Sequence, residues 1–337
     1  MDSRAAGVTR AAVWEGSAIA VREVRLPEPG PGETLIRISA ATVCGSDLHT
    51  VSGRRPAPCP SILGHEAVGV VVATGADSPV SVGDRVVWSV TVSCGECPRC
   101  RAGLSAKCCS VRKVGHESFA GDWPLSGGYA EHILLPAGTA FARVPESMPD
   151  VVAAPAACAT ATVMATLEAA GAVTGRRVLI LGAGMLGVTA VAACSVADAD
   201  VRVVDLDEQR ADSATAFGAR PDDGGPADVV IDFTGSTPAI AAALGRLDVG
   251  ATMVLAGSVL PAPPLAVDPE TVVRRWLTLT GVHNYEPRHL TRAVEFLETT
   301  QADFDWAELV SSPVPLERIS SVMSPPGSGR LRSAVAP

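Results

Sequence analysis

Hydrophobic and polar positions divide the chain into two textures. Up to about residue 150, short Val/Ile runs alternate with Gly and Pro, as in ETLIRISAATV (33–43), AVGVVVATG (67–75) and GDRVVWSV (83–90). Short β-branched runs bounded by turn residues predict the strands of a β-rich, barrel-like domain. From 151 onward, Ala-rich helical stretches alternate with the apolar runs RVLILGAG, VRVVD, ADVVIDFTG, ATMVLAGSV and LTLTGVH. Strand–helix alternation predicts a doubly wound parallel sheet covered by helices. After 284 the apolar residues of RHLTRAVEFLETT recur at helical spacing, and an irregular Pro/Ser-rich segment follows. The pattern therefore divides into 1–150, 151–284 and 285–337.

One strand–helix junction carries chemistry. In VLILGAGMLGVTAVAACSVADADVRVVDLD, Gly182, Gly184 and Gly187 form G-x-G-x-x-G, with Met185 and Leu186 between the last two. Gly182 permits the tight turn and Gly184 lets the backbone approach a pyrophosphate. Gly187 lets the helix pack on the strand with its amino terminus toward the phosphates. A lone match would be weak, but here a strand precedes it and a helix follows. Asp205 ends the next apolar strand, where a carboxylate accepts hydrogen bonds from an adenosine ribose and repels a 2′-phosphate. The expected cofactor is NAD, with Arg202 and Arg210 leaving some room for NADP.

Cysteine adds a second chemistry. Of nine cysteines, Cys94, Cys97, Cys100 and Cys108 read C-x2-C-x2-C-x7-C. Two-residue gaps let one loop curl four thiolates around a tetrahedral zinc, a closed site with a structural role. An iron–sulfur cluster competes on the residues alone. Cys59 and Cys194 read as ordinary thiols, and His116, His132 and His289 as structural or surface residues.

Charge narrows the function classes. The 337 residues carry net charge −9, with pI near 5.2. That argues against nucleic-acid or anionic-membrane binding. The first ten residues lack the apolar core of a signal peptide. The longest apolar run, 151–173, is broken by Pro155 and contains Glu168, which predicts a buried helix rather than a membrane span. A cytoplasmic protein is expected.

Taken in order, these motifs resemble the zinc-containing alcohol dehydrogenases of the medium-chain dehydrogenase/reductase family. GHEAVGVVVATGADS matches that family's zinc signature. Cys44 with Gly64-His65-Glu66, the four-cysteine lobe, AACAT (156–160) and GAGMLG follow in the family's order over essentially the whole chain. The resemblance implies a GroES-like catalytic domain over 1–150, a Rossmann domain over 151–284 and a return segment over 285–337 that completes the catalytic domain. It also favours zinc over iron–sulfur in the lobe and a homo-dimer or homo-tetramer.

By the same resemblance Cys44, His65 and Cys158 bind a catalytic zinc, giving two zinc ions per chain. Three protein ligands leave a position for an alcohol oxygen, whose pKa the metal lowers. Glu66 tunes the metal or takes part in ligand exchange, and Asp47 orients His65. Ser46 accepts the alcohol proton and passes it through the cofactor ribose to His49. Arg332 meets the pyrophosphate, and His283 follows the last Rossmann strand beside the nicotinamide. Non-metal reductases of the fold lack such ligands. A non-catalytic structural or redox-sensing member is the alternative from another class.

Two departures stand out. Only PDDGGP separates FGAR from ADVVID, where relatives hold a strand and a helix, so five parallel strands are expected instead of six. Arg54 and Arg55 occupy the loop that lines the substrate cleft in this family. Position 55 commonly holds an apolar residue in enzymes for neutral alcohols, and a guanidinium there suits an anion. CGSDLHTVSGRR, DWPLSGGYAEH and CATATVMATLEAAG are similar to alcohol dehydrogenases associated with phosphonate metabolism. The expected substrate is a small anionic hydroxy- or oxo-phosphonate bound by Arg55 with support from Arg54. A neutral alcohol or polyol is the alternative.

Overall fold

The computed structural model describes residues 7–327 and 329–337, so part of the amino-terminal stretch read for a signal peptide lies outside the described residues. The chain divides into two units, Met1–Ala161 with Glu286–Pro337, and Thr162–Tyr285.

The first unit is built on a seven-stranded sheet. Its order is Phe141–Arg143, Arg85–Trp88, Glu66–Thr74, Thr34–Thr42, Ala334–Ala336, Val314–Pro315, with His132–Leu135 also pairing with Thr34–Thr42. A three-stranded sheet, Ile19–Arg25, Val8–Trp14, Ser61–Ile62, joins it through an Ala11–Ala130 bridge. Register shifts at Leu35/Ile36 and Ile38/Ala40 bend the long central strand. The enclosed core is filled by Ile36, Ile62, Trp88, Tyr129, Ile133 and Leu135. Two registers matter for chemistry, because Thr42 pairs with Glu66 on one side and with Ala334 on the other. The last strand of the chain thereby delivers Arg332 to the row that holds Glu66.

The second unit is a parallel sheet in the order Arg220–Pro221, Asp200–Val204, Arg177–Leu181, Ala227–Asp232, Leu247–Leu255, Thr278–Gly281. Leu179, Val230, Leu247 and Met253 fill one side of it. It has six strands, which corrects the expected five. The edge strand survives as Arg220–Pro221 alone, paired with Arg202 and Val203. What is missing is the helix after it. Residues 222–226 span at most about 17 Å when extended, enough to cross the roughly 14 Å of three strand spacings. Asp222 pins this crossing to Arg246 at 2.6 and 2.8 Å, and Asp223 pairs with Arg177. Among the described residues, no single helix is long and apolar enough to cross a membrane.

Candidate active site and metal sites

The first unit gathers Cys44, His65 and Cys158, whose ligand atoms all lie within 4.8 Å of one another. Each comes from a different local device. Cys44 caps the helix Gly45–Val51, and its N–H donates to Asp47 Oδ2 at 3.0 Å, a capping contact that fixes the turn. His65 follows Gly64, whose φ of +88° is left-handed and where a Cβ would stand 2.8 Å from the Tyr129 ring. Cys158 sits at the break between the turn Ala154–Ala157 and the helix Ala159–Ala170.

Around this trio the polar groups lie close together, with His65 Nδ1 making no hydrogen bond among the described residues. His65 Nδ1 faces Asp47 Oδ1 at 3.6 Å, and Nε2 lies 3.3 Å from Ser46 Oγ. Asp47 on the Nδ1 side leaves Nε2 as the ligand atom, the arrangement in which a carboxylate orients a metal-binding imidazole. Tyr129 donates its hydroxyl to Asp47 Oδ2 at 2.9 Å. Despite its burial, His65 is held well above the usual histidine range by Asp47 and Cys44. The Cys44 thiol falls well below its ordinary value because Cys158 donates to it and because Arg332 and His65 stand nearby. A buried cluster of sulfur and imidazole donors with one thiol already acidic suits a borderline-soft divalent ion such as zinc.

Glu66 is fully buried behind Cys44. It accepts from Thr42 Oγ1 at 2.7 Å and from the Arg332 guanidinium at 3.0 and 3.3 Å, and Arg332 also reaches Cys44 Sγ at 3.8 Å. Burial pushes the Glu66 carboxyl up to about 7, with Arg332 pulling it back. Removing one partner of such a pair costs about 3–5 kcal/mol. Sequence reading assigned Arg332 to a pyrophosphate; in this structure its guanidinium is engaged with Glu66. The roles of Tyr129 and Thr42 were not read from sequence. The glycines of SGGYAEH were a usable signal, since a Cβ at Gly127 would stand 2.1 Å from the Ile62 carbonyl.

His49 and Arg55 share one turn, with the Arg55 N–H donating to the His49 carbonyl at 3.0 Å. His49 is half-buried, and its Nδ1 makes no hydrogen bond among the described residues. Burial and the charges of Arg54 and Arg55 lower its pKa. Arg54 is exposed and Arg55 half-buried. His116, read as structural or surface, packs beside the His65 ring, with centroids 5.2 Å apart and planes tilted by 48°.

The second metal cluster, Cys94, Cys97, Cys100 and Cys108, also has its ligand atoms within 4.8 Å. Sγ atoms approach at 3.4 Å (Cys94–Cys108), 3.5 Å (Cys97–Cys100) and 3.9 Å (Cys97–Cys108). Backbone N–H groups of Cys109 and Cys100 lead in lowering Cys97 to about 5, and the Cys94 N–H leads in lowering Cys108 to about 7, whereas burial pushes Cys100 up to about 12. Cys109 is exposed, and its N–H donates to Cys97 Sγ at 3.5 Å.

In the second unit the glycine loop divides its labour. Gly182 has φ +97°, and a Cβ on Gly187 would stand 1.7 Å from the Gly182 carbonyl, so packing demands both. A Cβ on Gly184 meets nothing within 4 Å. Intramolecular packing does not require glycine there; close approach of a phosphate would. Gly184 caps the helix Met185–Val196 with no side-chain cap, which leaves its N-terminus available to an anion. Asp205 Oδ2 accepts the Ala183 N–H at 2.6 Å, which holds the carboxylate against the loop. His283 follows the strand Thr278–Gly281.

The alcohol dehydrogenase GroES-like domain matches residues 30–146. The chain is 32% identical over 304 residues to the L-threonine 3-dehydrogenase of Deinococcus deserti, covering 82% of each protein. The chain belongs to the zinc-type alcohol dehydrogenase family. Its fold is that of an alcohol dehydrogenase from Thermotoga maritima, with TM-score 0.89 and 24% identity over 98% of this chain and 99% of that one. A thermostable alcohol dehydrogenase from Pyrobaculum aerophilum, solved with cobalt and zinc bound, matches with TM-score 0.83 at 25% identity, covering 98% of this chain and all of that one. In this family context, the two cysteine clusters and the glycine loop are the features that bear on function.

Proposed function

We propose that the protein is a zinc- and NAD-dependent alcohol dehydrogenase, acting in the cytoplasm as a dimer or tetramer on a small molecule. The observation that carries this reading is the Cys44–His65–Cys158 trio, two of its members buried and Cys158 partly so, with Ser46 Oγ 3.3 Å from the His65 ring nitrogen. Cys44, His65 and Cys158 would hold the catalytic ion, and the four cysteines of the lobe a structural one. Gly182–Gly187 would cradle the dinucleotide phosphates and Asp205 the adenosine ribose. When bound, zinc supplies Lewis acidity to the substrate oxygen and the nicotinamide accepts hydride.

The chain's own groups supply the rest. Asp47 fixes the His65 ring, so its remaining nitrogen points to the ligand cluster. Ser46 Oγ lies 3.3 Å from that nitrogen and takes the proton of an alcohol placed there. His49, half-buried with an unpartnered ring nitrogen, is the outward station for that proton. The Glu66–Arg332 pair places a partly compensated carboxylate behind Cys44 and sets the field at the ligand. Arg332 contacting the dinucleotide, and His283 lying beside the nicotinamide, remain part of the proposal.

Ser46→Ala tests the relay. Alcohol oxidation is expected to fall by about 10²-fold or more, in line with general acid–base contributions, while zinc content stays at the wild-type value. His49→Gln is expected to cost less and to be partly rescued by buffer bases. Equal steady-state rates across wild type and both variants would show that the proton leaves by another route.

A further inference from the structure

A carboxylate can orient a metal-binding imidazole only if something orients the carboxylate. Asp47 is buried, and its contacts fall unequally on its two oxygens. Oδ2 accepts the Cys44 N–H at 3.0 Å and the Tyr129 hydroxyl at 2.9 Å. Oδ1 meets the Gly64 N–H at 3.4 Å and His65 Nδ1 at 3.6 Å, the second too long for a hydrogen bond. The firm bonds are therefore both on the oxygen that does not meet the imidazole. One of them comes from the backbone. The other comes from Tyr129, whose hydroxyl is the one side-chain hydroxyl that donates to Asp47 among the described residues. Without it a single firm bond would remain, and the side-chain torsion that sets a carboxylate's plane is soft.

Tyr129 is itself held on several sides. Its N–H donates to the Leu63 carbonyl at 3.1 Å, and its carbonyl accepts the Ala12 N–H at 2.8 Å. Its ring packs so closely on Gly64, the residue before the ligand His65, that a Cβ there would stand 2.8 Å from the ring edge. The ring is fully buried in the core of the first unit. Phenylalanine would fill that space equally well, and a buried hydroxyl is costly unless it is bonded. The hydroxyl has one proton and two acceptors in reach, Asp47 Oδ2 at 2.9 Å and the Thr42 carbonyl at 3.3 Å. The closer acceptor is also the charged one, which makes the stronger bond.

We propose that Tyr129 is a positioning residue for the catalytic metal: its hydroxyl fixes the rotation of the Asp47 carboxylate, which in turn presents His65 to Cys44 and Cys158. This rests on the dehydrogenase reading above and adds a residue to the same site. The oxygen that Tyr129 holds also accepts the backbone N–H of Cys44, so one carboxylate ties two of the three ligands together. A rigid ring anchored at Leu63, Gly64 and Ala12 thereby sets the geometry of a site that it does not itself enter.

Tyr129→Phe keeps the ring and removes the hydroxyl. Titrating the zinc-loaded full chain with a chelator reads the release of each ion, and Cys44→Ser protein, with its lobe ion alone, marks the lobe step. Tyr129→Phe is expected to weaken zinc at the trio by about tenfold or more, the loss typical of groups that orient a metal ligand. The lobe step and the circular dichroism should stay at their wild-type values. Asp47→Asn is expected to weaken the same step, and Tyr129→Phe added to it should cost little more, because the hydroxyl acts through that carboxylate. A folded Tyr129→Phe protein with wild-type affinity at the trio refutes the role. Equal losses in the two backgrounds refute it as well, since the hydroxyl would then act without Asp47. A second reading leaves position 129 unchanged. The chain has two tyrosines, so Cζ-labelled tyrosine gives two carbon signals, and Tyr285→Phe assigns that of Tyr129. Zinc loading should move the Tyr129 signal in wild type and much less in Asp47→Asn; a signal indifferent to zinc, or one that moves equally in both, overturns the proposal. Metal binding is read without turnover, so these refutations leave the dehydrogenase reading standing. Wild type that holds one zinc ion alone would instead remove the trio from the metal reading, and the role of Tyr129 with it.

Discussion

Cys44→Ser is expected to leave a folded protein with one zinc ion in place of two and to reduce alcohol oxidation by about 10³-fold or more. The magnitude follows from the several kcal/mol that a Lewis-acidic ion contributes to the transition state, at 1.36 kcal/mol per tenfold. Folding should survive because the contact that shapes this turn uses the backbone N–H of residue 44, which donates to Asp47, and serine keeps it. Serine is also close in size to the thiol it replaces. Loss of the ion would leave His65 with Ser46 and Asp47 as neighbours, so the pocket is not stripped of polar partners. Metal analysis beside steady-state rates checks both parts. Retention of two zinc ions in the variant would remove Cys44 from the ligand set.

Cys97→Ser is expected to act on stability instead. Between the strands Thr91–Val92 and Arg112–Lys113 the lobe holds only a four-residue helix and a three-residue turn, with Ala106 and Cys108 as its buried side chains. So little apolar surface cannot order the loop, and the ion is its main source of cohesion. Structural zinc contributes directly to folding free energy. The loss should spread, because the backbone N–H groups of Ser105 and Ala106 anchor Glu286 at 3.0 and 3.1 Å, and Glu286 caps the helix Pro287–Thr300. Loosening the lobe frees the start of that helix. A fall in melting temperature of about 10 °C or more corresponds to several kcal/mol in a chain of this size. Differential scanning calorimetry with a metal count reads it. An unchanged melting temperature with one ion lost would show that the lobe is held by its protein contacts.

Local signals were the legible ones. The glycine loop could be read because each glycine answers a constraint within a few residues, a turn at Gly182 and a helix–strand contact at Gly187. The four-cysteine spacing is likewise a property of one loop. The trio Cys44, His65 and Cys158 required the family resemblance, since no period connects residues 44 and 158. The Glu66–Arg332 pair spans 266 positions, and the sheet register Glu66–Thr42–Ala334 that creates it leaves no mark on the local pattern. The sixth strand of the parallel sheet escaped notice for a different reason. Arg220–Pro221 is two residues long and neither is apolar, so no alternation exists to detect.

The central claim is tested most directly by following the absorbance of reduced nicotinamide when zinc-loaded wild-type protein meets a panel of neutral and anionic alcohols. Zinc-dependent reduction is expected with at least one alcohol, more efficiently with NAD than with NADP because Asp205 faces the loop where the ribose would lie, and abolished when the metal is removed. Protein that carries two zinc ions, binds the dinucleotide and yet reduces neither cofactor with any alcohol, nor oxidises the reduced cofactor with the matching carbonyls, would contradict it.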